Sequence, residues 1–279
     1  MIYEIYGRTE TGPVRPHNED HILVGRYLKN RGGLGLSLAD DDECLAGGGL
    51  ALAVADGMGG LAGGALASRT ALLTLDAALG ARQREDTSPV SAPDVENAVH
   101  RAHEAVRAAR GQIDGPDTRI GTTLSGVLLT GSGYWVFHAG DSRVLRVRNG
   151  FLRPLTVDDT LAERLYRLGV DAATAQATRD SEALVNWVGT DDFECKVEAG
   201  PALETGDLLV VCSDGLHAFV SAKELGRTLS APEKTVRQLT DMLVELALAS
   251  GSDDNVSLVL LRATGETGQA THDENTHGE

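Results

Sequence analysis

The sequence is poor in cysteine and in basic residues, and it has no long apolar run. Its three cysteines are an odd number without a Cys-x-x-Cys pair, which is typical of a reducing cytosol and argues against a disulfide scaffold. The 25 basic residues are outnumbered by 41 acidic ones, and the net charge of −16 argues against binding to nucleic acid or an anionic membrane. No apolar run approaches the ~20 residues of a membrane span, and the N-terminus lacks a signal-peptide pattern. We therefore expect a cytoplasmic protein with neither nucleic acid nor a membrane as partner.

Hydrophobic residues make up 42% of the 279 residues, which is enough to build the large core of a single domain. Residues 263–279 contain no core-forming residue, and such a composition is typical of disorder. We therefore expect one domain over residues 1–262, followed by a disordered tail over residues 263–279.

Apolar periodicity predicts strands and helices that are segregated along the chain. Strands are expected at 2–9 (as an edge strand), 21–27, 50–55, 122–130, 134–138, 143–148, 151–155, 194–199, 207–212 and 256–262. Helices are expected at 65–79, 94–110 (with His100 and His103 on its surface) and 233–248, and from about Gly215. Because Asn149-Gly150 is a strong hairpin signal, residues 122–155 are expected to form an antiparallel meander. This order favours an α+β architecture with helices packed outside antiparallel sheets.

Two segments differ in character from these elements. Residues 29–49 contain the acidic run 40–43 and are expected to be an exposed connection between strands. That run matches no EF-hand spacing, so a solvated loop is favoured over a calcium site. Residues 156–191 carry mixed charge, few large apolar residues and a capping-box pattern at Thr160 and Glu163. They are expected to form an inserted subdomain with two short helices at the edge of a sheet.

The stretch LALAVADGMGGLAGGALAS, residues 50–68, places Asp56 at the end of a buried strand and before several glycines. Glycines admit close approach of the backbone, so a carboxylate in this position is a candidate metal ligand. A tight turn in which Asp56 caps the following helix explains the same residues. The stretch alone leaves both interpretations open.

Further acidic motifs lie at the ends of expected strands or in tight loops: Asn18-Glu19-Asp20, Gly140-Asp141-Ser142-Arg143, Ser213-Asp214-Gly215 and Asp253-Asp254-Asn255. Each of them by itself also fits a capped turn. If the motifs converge, only hard divalent cations offset so much like charge. Two Mg²⁺ or Mn²⁺ ions ~3.5–4 Å apart would lower the pKa of a bridging water and orient it for attack on a phosphorus atom.

Taken in chain order, the motifs resemble those of a known family. The series is RPHNED (15–20), ADGMGG (55–60) with a glycine pair at 63–64, GTT (121–123), AGDSR (139–143), CSDGL (212–216) and DDNVS (253–257). It resembles the metal-dependent serine/threonine protein phosphatases of the 2C type, in their bacterial branch, over residues 1–262. The resemblance implies a four-layer α/β/β/α sandwich, with two antiparallel sheets flanked by helix pairs, in which residues 156–191 are the flap.

The resemblance also implies a centre of two Mg²⁺ or Mn²⁺ ions. Its ligands would be Asp20 as a bridge between the ions, Asp56, the carbonyl of Gly57, and Asp214 and Asp254 for the second ion.

Three further roles follow from the resemblance. Glu19 would hold metal-bound water, and Arg15 would bind the substrate phosphate through its bidentate guanidinium. Asp141 would hold a third, weaker ion together with Asp214. The implied reaction is attack of a metal-bridging hydroxide on phosphoserine or phosphothreonine in proteins, and a bacterial serine/threonine kinase would be the counterpart of the enzyme.

The sequence departs from the family pattern near the expected site and in the flap. Met58 stands where eukaryotic members carry a histidine proposed as general acid; His17 is a candidate replacement, although a surface histidine explains it as well. Residues 158–160 are Asp-Asp-Thr where bacterial relatives usually have an Asp-His pair, and SEALVNWVGT (181–190) replaces a basic motif. The substrate preference is therefore left open. A non-catalytic phosphoprotein-binding or regulatory domain of the same fold is the alternative function, and hydrolysis of a small phosphorylated metabolite is another.

Overall fold

The computed structural model of the chain describes residues 1–59, 63–85, 88–111, 120–231 and 233–265, without the side chains of 84 and 85. The strands are β1 (Ile2–Glu10), β2 (His21–Val24), β3 (Tyr27–Lys29), β4 (Gly32–Ala39), β5 (Leu50–Ala55), β6 (Gly57–Met58), β7 (Gly121–Thr122), β8 (Leu124–Thr130), β9 (Gly133–Ala139), β10 (Arg143–Arg148), β11 (Phe151–Pro154), β12 (Lys196–Gly200), β13 (Leu208–Cys212) and β14 (Val256–Thr264). The helices are α1 (Glu43–Gly47), α2 (Gly63–Glu85), α3 (Ala92–Arg110), α4 (Leu161–Arg167), α5 (Ala172–Ala177), α6 (Asp214–His217), α7 (Ala222–Leu229) and α8 (Val236–Ala249). Over the described ranges, none of the helices combines the length and the apolar character that crossing a membrane requires.

Two six-stranded antiparallel sheets pack face to face at the centre of the molecule. Their strand orders are β11-β10-β13-β14-β1-β4 and β12-β9-β8-β5-β2-β3. One apolar core lies between the sheets, a second lies between the β5-containing sheet and helices α2 and α3, and a third lies between the β14-containing sheet and helices α6 to α8. Three apolar cores separate four layers, which confirms the expected α/β/β/α sandwich.

The central strands are apolar on both faces because each face contacts a different core. In β5, Leu52 and Val54 belong to the core between the sheets, whereas Ala53 and Ala55 pack against the helices. Successive side chains of a strand point to opposite faces, so a strand covered on both sides needs an unbroken apolar run. This explains the run before Asp56 in physical terms.

The N-terminal region differs from the expectations. β1 lies between β14 and β4 and is not an edge strand. Residues 21–27 are not one strand, because the chain turns at Gly25, whose φ is +61°, and forms the β2–β3 hairpin. Residues 29–49 are not a plain connection either: they contain β4 and α1, and Asp42 of the acidic run caps α1 by accepting a hydrogen bond from the Cys44 amide at 2.9 Å.

The expected meander over residues 122–155 is wrong as a continuous unit. β8 pairs with β9 and β10 pairs with β11, but the two hairpins belong to different sheets. The chain crosses from one sheet to the other between Ala139 and Arg143. The last strand also extends to Thr264, so the start of the expected tail belongs to the sheet, while residues 266–279 lie outside the described residues.

His103 is buried and not on the surface of α3, in contrast to the exposed His100. Its Nδ1 accepts a hydrogen bond from the Gly189 amide at 3.1 Å, and its ring stacks on Phe193 with a centroid distance of 4.2 Å. The helical period identified the helix correctly. Residues 189–193, which cover this histidine, are distant along the chain, so the helical period could not predict that His103 is buried.

Candidate metal centre

The expected acidic residues meet at one end of the sandwich because of how the strands pair. His21 at the start of β2 pairs with Ala55 at the end of β5, so Asp20 and Asp56 leave the sheet at the same end. β13 and β14 are antiparallel in the same way, with Cys212 opposite Leu258. The residue after one strand therefore lies beside the residue before its neighbour.

A cavity of about 280 Å³ opens at this end of the molecule. Seven of the eight predicted site residues line it: Arg15, Glu19, Asp56, Gly57, Asp141, Asp214 and Asp254. The eighth, Asp20, is completely buried, and its carboxylate is within electrostatic reach of Asp214 and Asp254. The structure thus brings all eight residues together, and Met58 and Leu184 complete part of the wall.

Asp20 occupies the most buried position. Its Oδ2 accepts a hydrogen bond from the Ser213 hydroxyl at 2.9 Å, while its Oδ1 is buried and has no hydrogen-bond partner among the described residues. Burial raises the pKa of Asp20 to about 7, and the negative charges of Asp214 and Asp254 act in the same direction. A cation beside the unused oxygen would favour the ionised form.

Asp56 and Asp214 share a hydrogen bond, although they come from different sheets. Burial raises the pKa of Asp56 well above its usual value, and the charges of Asp20 and Asp214 add to the effect. Burial also raises the pKa of Asp214, which the nearby Asp254 reinforces and the hydrogen bond with Asp56 opposes. Two buried carboxyl groups in contact do not both ionise readily without a counter-charge, so a cation bound beside them would favour their ionised forms.

Asp141 lies in the crossing between β9 and β10. Burial raises its pKa to about 7, and the charges of Asp214 and Asp158 contribute in the same direction. Its backbone carbonyl accepts a hydrogen bond from His217 Nε2 at 3.0 Å, which connects the crossing to α6.

Asp254 and Arg15 form an ion pair at the rim of the cavity. Arg15 Nη2 donates to Asp254 Oδ2 at 2.6 Å, and the Asn255 amide donates to Asp254 Oδ1 at 2.7 Å. Half of the Arg15 side chain is exposed, at 50%, so its guanidinium is accessible to a ligand in the cavity.

Glu19 lies on the loop before β2, with one carboxylate oxygen, Oε1, buried without a partner among the described residues. Burial raises its pKa. The loop itself is held from two sides: the Glu19 amide donates to Asn255 Oδ1 at 2.8 Å, and the Glu19 carbonyl accepts from Ser68 Oγ at 2.5 Å. The backbone of Glu19 is therefore fixed beside the cavity by Asn255 in the turn before β14 and by Ser68 on α2.

Two glycines permit close backbone contacts around the cavity. A Cβ on Gly57 would lie 2.2 Å from the Gly64 carbonyl oxygen, and a Cβ on Gly215 would lie 1.9 Å from the Asn255 carbonyl oxygen. Any other residue would separate β6 from the start of α2, or α6 from the turn that carries Asp254. These glycines therefore belong to the construction of the site.

Three uncharged residues that position the acidic groups were not identified as site residues from the sequence. Thr123 holds the backbone of Asp56 on both sides, since its hydroxyl accepts from the Asp56 amide and its amide donates to the Asp56 carbonyl, both at 2.9 Å. Ser213 donates to Asp20, as described above. Thr123 and Ser213 are far from Asp56 and Asp20 along the chain and meet them only in the folded protein. The only sequence signal for their role was their position inside the GTT and CSDGL motifs.

Asn255 is the third of these residues and connects the two loops of the site. Its side-chain nitrogen donates to the carbonyls of Thr11 at 2.8 Å and His17 at 3.1 Å, and its side-chain oxygen accepts from Glu19. The side chain of His17 is exposed.

The donor set fits hard divalent cations. The ionisable groups that line the cavity are carboxylates and one guanidinium, and oxygen ligands suit Mg²⁺ and Mn²⁺. Over the described ranges, no three acidic, histidine or cysteine side chains already close around a single point. Carboxylates spread around a cavity agree with ions that keep several water ligands. The unpartnered buried oxygens of Asp20, Asp214 and Glu19 are the atoms that such ions and their waters would satisfy.

Comparison with known proteins agrees with this site. Residues 37–266 match the family model described as Protein phosphatase 2C. The chain is similar to the serine/threonine protein phosphatase PstP of Mycobacterium tuberculosis, with 31% identity over 261 residues that cover 93% of this chain and 45% of that protein. It is also similar to the serine/threonine phosphatase stp of Listeria monocytogenes, with 28% identity over 263 residues that cover 91% of this chain and 93% of that protein. The chain thus spans less than half the length of PstP and nearly all of stp.

The fold leads to the same family. A crystal structure of the catalytic domain of PstP in complex with two manganese ions superposes with a TM-score of 0.71 and 28% identity, covering 95% of this chain and 100% of that one. Fold, acidic cavity and sequence match agree, and the chain belongs to the protein phosphatase 2C family.

Proposed function

We propose that the chain is a metal-dependent phosphatase that hydrolyses phosphoserine and phosphothreonine in proteins. The observation that carries the proposal is the gathering of Asp20, Asp56, Asp214 and Asp254 at one cavity, with buried carboxylate oxygens that lack a partner among the described residues. The names of two similar proteins, PstP and stp, support the reaction class, and the manganese complex of the PstP catalytic domain supports the cofactor.

The proposed ligands of two Mg²⁺ or Mn²⁺ ions are Asp20, Asp56, the Gly57 carbonyl, Asp214 and Asp254. Asp141 with Asp214 would hold a third ion, because both carboxyls line the cavity and each raises the pKa of its neighbours. When bound, such ions supply Lewis acidity that activates water and offsets the charge of a phosphate.

The residues of the chain itself would bind and orient the substrate. Arg15 is accessible at the rim, and turning its guanidinium from Asp254 to a phosphate would replace one charge-assisted hydrogen bond by a bidentate pair. Glu19 would accept hydrogen bonds from water beside the ions through its unpartnered Oε1. Met58 on the cavity wall has no dissociable proton, so the leaving alkoxide must obtain its proton elsewhere.

We further propose a single catalytic domain over residues 1–262, which the last strand extends to Thr264, with a flap at 156–191, a location in the cytoplasm and a serine/threonine kinase as counterpart. The three cysteines, which are all unpaired, support a reducing compartment. The proposed substrate, phosphoserine or phosphothreonine in a protein, is formed by phosphoryl transfer from a kinase.

The proposal is tested with a phosphothreonine peptide, p-nitrophenyl phosphate and a panel of phosphorylated metabolites, each with Mn²⁺. We expect turnover of the peptide, and a loss of at least about 100-fold in Asp214→Asn because an ion loses a ligand. Calorimetry with Mn²⁺ should show weaker binding in the same variant. Asp241→Asn, which changes an aspartate paired with Arg8 away from the cavity, is the matched control and should retain activity.

Two outcomes would contradict the proposal. An inactive wild type that binds a phosphopeptide without metal would favour the non-catalytic alternative, and turnover confined to metabolites would show a different substrate class.

A further inference from the structure

The buried carboxylate of Asp159 is outside the acidic cavity and has no part in the proposed reaction. It lies between β11 and α4 and is 7% exposed. Its Oδ2 accepts hydrogen bonds from the Gly140 amide at 3.1 Å and from Asn186 Nδ2 at 2.7 Å, and its Oδ1 accepts from Lys196 Nζ. Its backbone amide donates to the Gly140 carbonyl at 2.7 Å, and its carbonyl accepts from the Val185 amide at 2.8 Å. One residue thus connects three separate segments of the chain.

The first of these segments is the crossing that carries Asp141. Side chain and backbone of Asp159 both bond to Gly140, which directly precedes Asp141. Two residues further on, Arg143 holds the neighbouring Asp158 with Nε at 2.9 Å and Nη2 at 2.7 Å. The crossing is therefore held at its start by the bonds of Gly140 to Asp159 and at its end by the ion pair of Arg143 with Asp158.

The second segment is the return of the flap toward the sheet. Thr160 and Leu184 form an antiparallel bridge, and the amide of Leu161 donates to the Ala183 carbonyl at 2.9 Å. The two ends of the flap are thus paired, and Asn186 joins them to Asp159. Leu184 lies on the wall of the acidic cavity.

The third segment is β12, a strand of a central sheet. Lys196 on β12 supplies the positive charge that a buried carboxylate needs, and it connects Asp159 to the rigid part of the molecule. Asn186 adds a second connection to the residues before β12, since its amide group donates to the Glu194 carbonyl at 2.9 Å and accepts from the Glu194 amide at 3.0 Å.

We infer that Asp159 is a positioning residue that couples the flap to the acidic cavity. Through its contacts it sets the place of Leu184 on the cavity wall and the orientation of the peptide that precedes Asp141. Without the carboxylate, Gly140, Asn186 and Lys196 lose the side-chain acceptor that they share, and only the backbone bonds of residue 159 to Gly140 and Val185 remain.

A buried ion pair with a merely structural role would stabilise the fold without this coupling, and Asp207 provides the matched control. It is 2% exposed, its carboxylate accepts from Arg148 Nε at 2.8 Å, and it also accepts from the Glu204 amide at 2.8 Å. It precedes β13, whereas Asp214 follows this strand, so Asp207 lies at the opposite end of the sheet.

The test is hydrogen exchange of backbone amides, measured by mass spectrometry on the full chain. In Asp159→Asn we expect exchange in residues 159–162 and 181–186 to accelerate roughly tenfold or more, because the pairing of the flap ends loses its anchor. Asp207→Asn should leave these amides as protected as in the wild type. Unchanged exchange at 181–186 in Asp159→Asn, or the same acceleration in Asp207→Asn, would overturn the inference.

A second variant covers the case that Asp159→Asn does not fold. Asn186→Ala removes the flap side of the contact and retains the pair of Asp159 with Lys196. It should accelerate exchange at 181–186 while the segment 139–142 stays protected. Full protection of 181–186 in this variant would contradict the coupling.

A kinetic consequence rests on the proposed phosphatase function. Leu184 of the flap lines the cavity, so a phosphopeptide, which is larger than the cavity, would contact the flap more than p-nitrophenyl phosphate would. Asp159→Asn should therefore lower kcat/KM for the peptide about tenfold and for the small substrate about twofold. Equal losses for both substrates, matching those of Asp207→Asn, would count against the coupling. If hydrogen exchange changes as expected but the wild-type protein hydrolyses neither substrate, the proposed function is refuted and the coupling stands.

Discussion

Single residues of the acidic cavity are arranged at a cost to the stability of the cation-free protein. Asp20 and Asp141 have pKa values raised to about 7, chiefly by burial, and the pKa of Asp56 is raised well above its usual value by burial and, after it, by the charges of the neighbouring aspartates. Folding alone would favour apolar residues or amides at these positions. Such a violation of ordinary burial rules is typical of a functional site, because the missing counter-charge is supplied by a ligand.

Arg15 offers a direct test of substrate binding at the residue scale. In Arg15→Ala we expect kcat/KM for a phosphopeptide to fall about 10–100-fold, mainly through KM, because a charge-assisted bidentate pair contributes ~1.5–3 kcal/mol. Arg15→Lys retains the charge without the planar fork and should give an intermediate value. The measurement is steady-state kinetics at saturating Mn²⁺.

Arg8→Ala is the control for this prediction. It removes a guanidinium that is paired with Asp241 and Glu10 and does not line the cavity, so kcat/KM should stay unchanged. A loss in Arg15→Ala that lies entirely in kcat would contradict a role in binding the phosphate.

At the scale of elements, the site depends on short distances between the ends of strands and helices. The start of α6 lies against the turn before β14, and this contact places Asp214 beside Asp254. The glycines of the sequence motifs are needed for this contact and for the close contact between β6 and the start of α2. They do not chiefly serve to make loops flexible. A change of one methyl group at these positions therefore acts on the whole arrangement.

Gly215→Ala tests this dependence. The new Cβ would lie 1.9 Å from the Asn255 carbonyl oxygen, so we expect the free energy of unfolding to fall by about 1–3 kcal/mol. Gly226→Ala in α7 is the matched control, since its Cβ would meet only Leu152 Cβ, at 3.9 Å, and alanine should raise the free energy of unfolding by about 0.5–1 kcal/mol. Urea denaturation followed by circular dichroism measures both values. Equal stability of the two variants would show that the backbone contact is not tight in solution.

The elements with a clear local pattern were predictable, and those defined by distant partners were not. The helical period identified α3 to within two residues at its start, and β10 was predicted with its observed bounds. β4 was missed inside the expected connection over residues 29–49, because what defines it is its pairing with β1 and not a local pattern. In the structure, Gly33 and Gly35 make room for the ring of Tyr6, a residue of the neighbouring strand.

The whole molecule combines two opposing groups of buried ionisable residues. Asp20 and Asp141 have their pKa raised from 3.8 to about 7, so the stability that their protonated forms contribute is complete below pH 3.8 and is lost as the pH rises to about 7. His21, His138 and His217 have their pKa lowered from 6.5 to about 4, so the stability that their neutral forms contribute is lost as the pH falls from 6.5 to 4. Between pH 4 and 6.5 the loss of stability from the carboxyls and the gain from the histidines offset each other as the pH rises. Above pH 6.5 the histidines are neutral in both the folded and the unfolded state, so the carboxyls dominate the change in unfolding free energy.

We therefore expect the cation-free protein to lose about 1–2 kcal/mol of unfolding free energy between roughly pH 6.5 and 8. Saturating Mg²⁺ should abolish this loss, because a bound cation keeps the carboxylates ionised throughout the range. Urea denaturation with EDTA and with Mg²⁺ at both pH values is the measurement. Asp141→Asn should reduce the loss in EDTA, and a pH-independent stability of the wild type in EDTA would contradict the assigned electrostatics.

The sequence by itself determined the layered α+β fold, the order of the motifs and the identity of the charged residues at the site. These follow from patterns within a few residues, since periodicity and turn chemistry are local. Only the tertiary structure decided that Asp20 is fully buried, that Asp56 contacts Asp214, and that Asp159 joins the flap to the crossing before Asp141. Burial and ion pairing depend on groups that are remote along the chain, as in the pair of Arg15 and Asp254, which are 239 positions apart.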